Sequence, residues 1–273
     1  MTRLFTNINR RNMAAMIRSA KSGSEWTTHD LLAHHIRVDS QSLAQFFNID
    51  ELPPLTNGLQ LFASTLIDDP RAVQDPAVFD LLLHLELVHS TVPMHGNENA
   101  VDMLGFHLLK MLGYGGVPPN LRLVTTRQAI PFRICGETRS AQTDVCVLTR
   151  ASFFLLIQED KRTTNPTDPE AQLIAEAIAA FQQNNELRDK AMLPALEKMT
   201  FPGITLRGSY PTFYKLGITK ALDVAVRAGT YPEEEIVVSC FRPPDHLVDM
   251  VHLECRAPLL QYFQAFRNMH EGE

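Results

Sequence analysis

Ser140-Ala141-Gln142-Thr143-Asp144-Val145-Cys146-Val147-Leu148, followed after a short turn by Phe153-Phe154-Leu155-Leu156-Ile157-Gln158-Glu159-Asp160-Lys161, is the stretch that decides how this chain folds. Both runs are almost entirely apolar until their ends, the pattern of central strands covered on two faces. A carboxylate in such a run has to be paired, bound to a metal or placed at the sheet's edge, because an isolated buried charge is too unfavourable. Residues two apart on a strand share a face, so Glu159 and Lys161 go together and Asp160 goes to the other side. With the turn centred between Arg150 and Ala151, position 148 opposes 153 and Asp144 opposes Ile157, leaving Glu159 as the diagonal neighbour of Asp144. The expectation is two carboxylates converging beside one ammonium. A hard cation such as Mg2+ takes such oxygens at about 2.0–2.1 Å, with the backbone carbonyl of position 160 adding another. Lys161 would stand over a bound water and orient it or neutralise developing negative charge.

Outward from this pair, the apolar spacing of Val101, Leu104, Leu108, Met111 and Leu112 predicts a helix over Asn97–Leu112, stopped by Gly113. Strands are expected at Leu121–Thr125, Ala129–Cys135, Thr143–Thr149 and Ser152–Lys161. A helix restarts at Asp168-Pro169-Glu170, where Asp168 can cap and Pro169 suits the first helical position; its buried stripe is Ile174, Ala177, Ile178 and Phe181. Pro202-Gly203 leads into a strand pair, Ile204–Tyr210 and Thr212–Ile218, around Pro211. A helix with Leu222, Val224 and Val226, a strand over Glu235–Phe241, and a helix from about Leu247 to Met269 kinked at Pro258 complete the chain. Residues up to about 92 read as helical, with start signals at Thr27-Thr28-His29-Asp30 and Asp75-Pro76. The division expected is a helical region over 1–94 and a core over 95–273.

The Asp144 and Glu159-x-Lys161 pattern, set between a preceding amphipathic helix and a following capped one, resembles the PD-(D/E)XK nuclease superfamily. The resemblance implies an α/β fold with a restriction-endonuclease-like core, a mixed central sheet flanked by helices, here with an N-terminal helical extension. The shared core is helix, three antiparallel strands, helix, strand. It implies a metal-dependent nuclease acting on DNA or RNA, with Asp144 and Glu159 as metal ligands and Lys161 as the catalytic lysine. Gln172 is similar to a glutamine that some branches place near the active centre, and Glu98 to an acidic metal ligand on the first helix. Local roles stay open for both, capping or solvation for Gln172 and a favourable first-turn charge for Glu98. Thr143 stands where the superfamily name has Pro, a residue that shapes backbone and supplies no ligand. The wording around Arg139–Cys146, Gln158–Lys161 and Asp168–Gln182 is also similar to proteins of mushroom-forming fungi, a likeness that supplies no activity. Members of such folds can lose catalysis and persist as nucleic-acid- or protein-binding modules, so that alternative stands beside the nuclease reading.

Composition narrows the remaining classes. With 273 residues, 45% hydrophobic and 21% charged, the chain can bury a large core, and no apolar run nears the length of a membrane span. A net charge of −6 argues against non-specific coating of nucleic acid, which depends on Lys and Arg displacing counterions, so any contact must be local. Cys135, Cys146, Cys240 and Cys255 form no CxxC pair, and His34-His35, His84 and His89 show no zinc spacing; reduced thiols and satisfied histidines are expected in an intracellular protein of cytoplasm or nucleus. The first 24 residues hold Arg3, Arg10, Arg11, Arg18 and Lys21 without an acid, a composition shared by mitochondrial presequences and ordinary amphipathic helices. Tyr210, Tyr214 and Lys215 are candidates for stacking and charge contact with a nucleic-acid strand, or for packing; Arg122, Arg127, Arg133 and Arg139 are candidates for phosphate contact, or solvated edge charges.

Overall fold

Capping and period-two signals that are local in sequence resolve into an α/β fold whose computed structural model describes residues 10–66, 73–90, 99–115, 121–149, 152–159 and 168–270. In chain order the elements are α1 (Arg10–Ala14), a 3-10 turn (Gly23–Glu25), α2 (Thr28–Ala33), β1 (Ile36–Ser40), α3 (Leu43–Phe47), α4 (Asn57–Ser64), α5 (Pro76–His89) and α6 (Ala100–Met111). There follow β2 (Leu123–Ile134), β3 (Glu137–Leu148), β4 (Phe153–Glu159), α7 (Pro169–Lys190), β5 (Lys198–Arg207), β6 (Tyr210–Thr219), α8 (Lys220–Ala228), β7 (Ile236–Phe241) and α9 (Leu253–His270). The helix starts read from sequence are realised. Asp75 accepts from Ala77 and Val78 N–H, Thr27 and Asp30 form a capping box, and Asp168 accepts from Ala171 N–H with Pro169 behind it.

One seven-stranded sheet, in the order β1-β7-β6-β5-β4-β3-β2, organises the molecule. β2, β3 and β4 form an antiparallel meander; β4 and β5 run parallel, as do β1 and β7, and the remaining neighbours are antiparallel. Helices cover both faces. On one side, α3 to α6 and α9 pack on Val145, Val147, Leu155, Ile157, Leu206 and Phe213; on the other, α7 and α8 with Trp26 pack on Ile130, Cys146, Leu156, Phe201 and Leu216.

Several expectations are corrected. The N-terminal region is not all helix: β1 joins the sheet edge beside β7. Its helices share a core with the rest, Phe46 and Phe47 meeting Phe213, Phe241, Tyr262 and Phe266 in one aromatic cluster. The two strands expected over 121–135 are one strand, β2, interrupted at Arg127 by a left-handed residue at φ 54°. A two-residue turn, Cys135 and Gly136 at φ 50° and 81°, joins it to β3, the positive pair that a tight hairpin turn demands. The β5–β6 turn lies at Gly208-Ser209, not around Pro211, and β5 begins before Pro202. Gly203 is needed inside β5, because a Cβ there would stand 2.6 Å from Leu216 Cδ1.

The basic N-terminal segment is tied into the fold where it is described. Arg18 donates to Ala33 O at 2.8 Å and Gly229 O at 3.0 Å, and Lys21 pairs with Asp30 at 2.8 Å; Arg3 lies outside the described residues. No helix among the described residues is long and apolar enough to cross a membrane.

Phe213 is fully buried, with Phe263 and Phe266 rings at 5.1 and 5.0 Å. Phe213→Ala is expected to destabilise the protein by about 3–5 kcal/mol in urea unfolding, since the cavity opens where helices from both ends of the chain meet the sheet.

Candidate functional site

The β3–β4 pair is built as its apolar runs require, but its register differs from the expectation. Leu148 opposes Phe153 as predicted; a shift between Val147 and Leu148 then places Val145, not Asp144, opposite Ile157. Because a one-residue slip exchanges faces, Asp144 goes with Cys146 to the α7 side, while Leu155 and Ile157 point to the α5 and α6 side. Strand alternation therefore does not by itself carry Asp144 and Glu159 to one face. Glu159 ends β4 beside Leu206 of β5, its side chain outside the described residues. Glu98 and Lys161 also lie outside them.

Asp144 is half-buried. Beside it, Thr143 is fully buried and donates its hydroxyl to Val145 O at 2.8 Å, with Ile157 O at 3.3 Å. The threonine thus ties β3 to itself and faces β4 at the position where the resembling superfamily has proline. Cys146, two residues after Asp144, is held as an inert thiol: burial, then the charge of Glu176, pushes it up to about 12.

Gln172 is drawn toward the N-terminal segment. It is 6% exposed on the first turns of α7, and its amide donates to Ser24 O at 2.8 Å. One helical turn later stands Glu176, which the sequence reading missed. It is 2% exposed, and its Oε2 has no hydrogen-bond partner among the described residues. Burial raises its carboxyl well above the ordinary range, and the charge of Asp144 adds to the shift. The available signal was one acid in the otherwise apolar Ile174–Phe181 run, four residues after Gln172. Glu176 is thus a buried acid with an orphaned oxygen that feels the charge of a second acid, Asp144. Among the described residues no group of three His, Cys, Asp or Glu is placed to hold a metal ion.

The other candidates separate. Tyr214 is 2% exposed and donates to Glu170 at 3.1 Å; Lys215 sits 4.8 Å over the Phe46 ring and donates to Phe46 O. Both serve packing. Arg122 stacks on Phe154 at 4.1 Å, Arg127 pairs with Asp102 at 3.8 Å and Arg139 with Glu137 at 2.6 Å. Tyr210 instead lines a cleft of about 320 Å³ with Thr205, Arg207, Thr212, Arg242, Asp245 and Val248. No protein-family model matches the chain, and no curated protein does.

Glu176 gives a signed stability prediction. A carboxyl raised in the folded state holds a proton that the unfolded chain releases above about pH 4.5, so stability falls as pH rises from there toward the folded-state value. The slope is at most about 1.4 kcal/mol per pH unit. Glu176→Gln should raise the melting temperature at pH 8 more than at pH 5; an equal effect at both would show that Glu176 is ionised in the folded protein.

Proposed function

We propose that this protein is a divalent-metal-dependent nuclease with a restriction-endonuclease-like core, hydrolysing phosphodiester bonds of DNA or RNA. The observation that carries the reading is the element order α6, β2, β3, β4, α7 and β5, which is helix, three antiparallel strands, helix, strand, with Asp144 on the second strand and Glu159 ending the third. In this reading Asp144, on the α7 side of β3, and Glu159, the last residue of β4 and so released from the strand's alternation, would hold Mg2+ or Mn2+, with Glu98 as a further acid from the segment before α6. The cation, when bound, lowers the pKa of water and stabilises charge on phosphate.

The chain's own groups do the rest. Lys161 orients the attacking water or neutralises negative charge developing on the phosphate. Gln172, engaged with Ser24, is a positioning residue that holds the start of α7 against the N-terminal segment. Burial and the charge of Asp144 favour the protonated form of Glu176, so a cation held at Asp144 would make its ionisation less costly.

The test is cleavage of single- and double-stranded DNA and RNA by the full chain with Mg2+, Mn2+ or EDTA. Cleavage should need the metal, and Asp144→Ala and Lys161→Ala should each lower the rate by roughly 10²–10³-fold without changing the circular dichroism spectrum. Folded wild-type protein that cuts none of these substrates would overturn the reading and leave a binding module on the same fold.

A further inference from the structure

The cleft at the ends of β5, β6 and β7 has features that the acidic cluster does not account for. Its two guanidiniums come from distant parts of the chain, Arg207 from the last residue of β5 and Arg242 from the residue after β7. Arg207 is exposed, lies 5.6 Å over the Tyr210 ring, and has no carboxylate within 4 Å among the described residues. Tyr210 is fixed in turn by donating its hydroxyl to Pro243 O. Arg242 is held from one side by Glu170 at 3.3 Å, with its side chain still 54% exposed. Thr205 and Thr212, paired across β5 and β6, contribute hydroxyl-bearing residues to the lining. Asp245 stands in the same lining and makes no ion pair with either arginine.

This arrangement matches phosphate chemistry. A guanidinium offers a planar fork of donors to phosphate oxygens, and two of them across a concave wall concentrate positive potential. In a chain of net charge −6, a polyanion has to find such a local place. Position selects the ligand further. Glu159 is the strand neighbour of Leu206, one residue before Arg207, and adjacent strands are about 4.8 Å apart. The cleft therefore opens one strand away from the end of β4, within reach of the next phosphates of a chain whose scissile bond lies there.

We propose that this cleft holds the sugar-phosphate backbone of the nucleic-acid substrate, with Arg207 and Arg242 contacting successive phosphates and Tyr210 supporting Arg207. The proposal rests on the nuclease reading for the identity of the polyanion, and binding is separable from cleavage.

The experiment measures anisotropy of a short fluorescein-labelled oligonucleotide, as DNA and as RNA, bound to the full chain in EDTA over a range of salt. Arg207→Ala and Arg242→Ala should each weaken binding about tenfold and lower the log–log salt slope by about 0.7–0.9, the change expected for one phosphate contact. Arg242→Lys, which keeps the charge beside Glu170, should retain most of the slope, and Lys190→Ala at the far end of α7 should change neither quantity. The DNA and RNA arms decide which backbone is preferred. Arginine variants that keep wild-type affinity and slope would overturn the proposal, as would wild-type protein that binds neither oligonucleotide. So would inorganic phosphate competing with an affinity equal to the oligonucleotide's, since the cleft would then hold a single anion. Binding through the arginines without cleavage by wild type removes the nuclease reading alone; cleavage with an unchanged KM in both arginine variants removes the cleft proposal alone.

Discussion

Buried polar groups need partners, and α7 is where that constraint governs this protein, because the helix is enclosed by the sheet, α8 and the N-terminal segment. Gln182 accepts from Arg133 N at 2.7 Å and donates to Arg133 O and to Asp223, which fastens β2 to α8. Asn184 accepts from Phe153 N at 2.7 Å and donates to Phe153 O at 3.2 Å, fastening the start of β4. Gln172 fastens the N-terminal segment. These bonds set the helix against the backbone of two strands and of the N-terminal 3-10 turn, while Glu176 keeps an oxygen without a hydrogen-bond partner among the described residues. An unsatisfied group in so well satisfied a helix is costly to keep, and the charge of Asp144 acts on it as well.

The second constraint is the break in strand phase beside that site. On β2, Val124 faces the α5 and α6 side whereas Ile130 and Phe132 face α7, although all are an even number of residues apart. On β3, Ala141 and Val145 differ in the same way. The left-handed Arg127 accompanies this change of face, and Thr143 braces it with its hydroxyl. Such irregularities re-aim side chains next to functional positions at the expense of local ladder regularity. Here the result is an acid turned toward α7 in a strand that otherwise reads as plain core.

The N-terminal region matters because it closes the sheet's far edge and roofs one face. β1 lies parallel to β7, so α2 and α3 flank a strand that is distant in sequence from every strand near the site. Ser24 reaches Gln172, and Thr28 donates to Asp168 at 2.7 Å, so the same segment also sets the start of α7 beside the arginine cleft. Gly23 makes this approach feasible: a Cβ there would stand 2.8 Å from the Ala141 side chain. The site region is therefore assembled from both ends of the chain.

What the sequence by itself determined are the features whose physics is local. Asp75, Asp168 and the Thr27–Asp30 box mark helix starts because a cap needs only its next three residues, and the apolar runs of β3 and β4 announce covered strands because burial on two faces demands them. The α/β class, the meander and the place of Glu159 at a strand end were legible for that reason, whereas Asp144, expected near the start of its strand, lies inside a β3 that begins at Glu137. Tertiary structure alone decided the register of β3 on β4, the membership of β1, the burial of Glu176 and the sharing of one cleft by Arg207 and Arg242. Each depends on contacts between residues far apart in the chain, where one inserted residue or one close-packed glycine exchanges a whole face, and no local periodicity records which face a distant partner will cover.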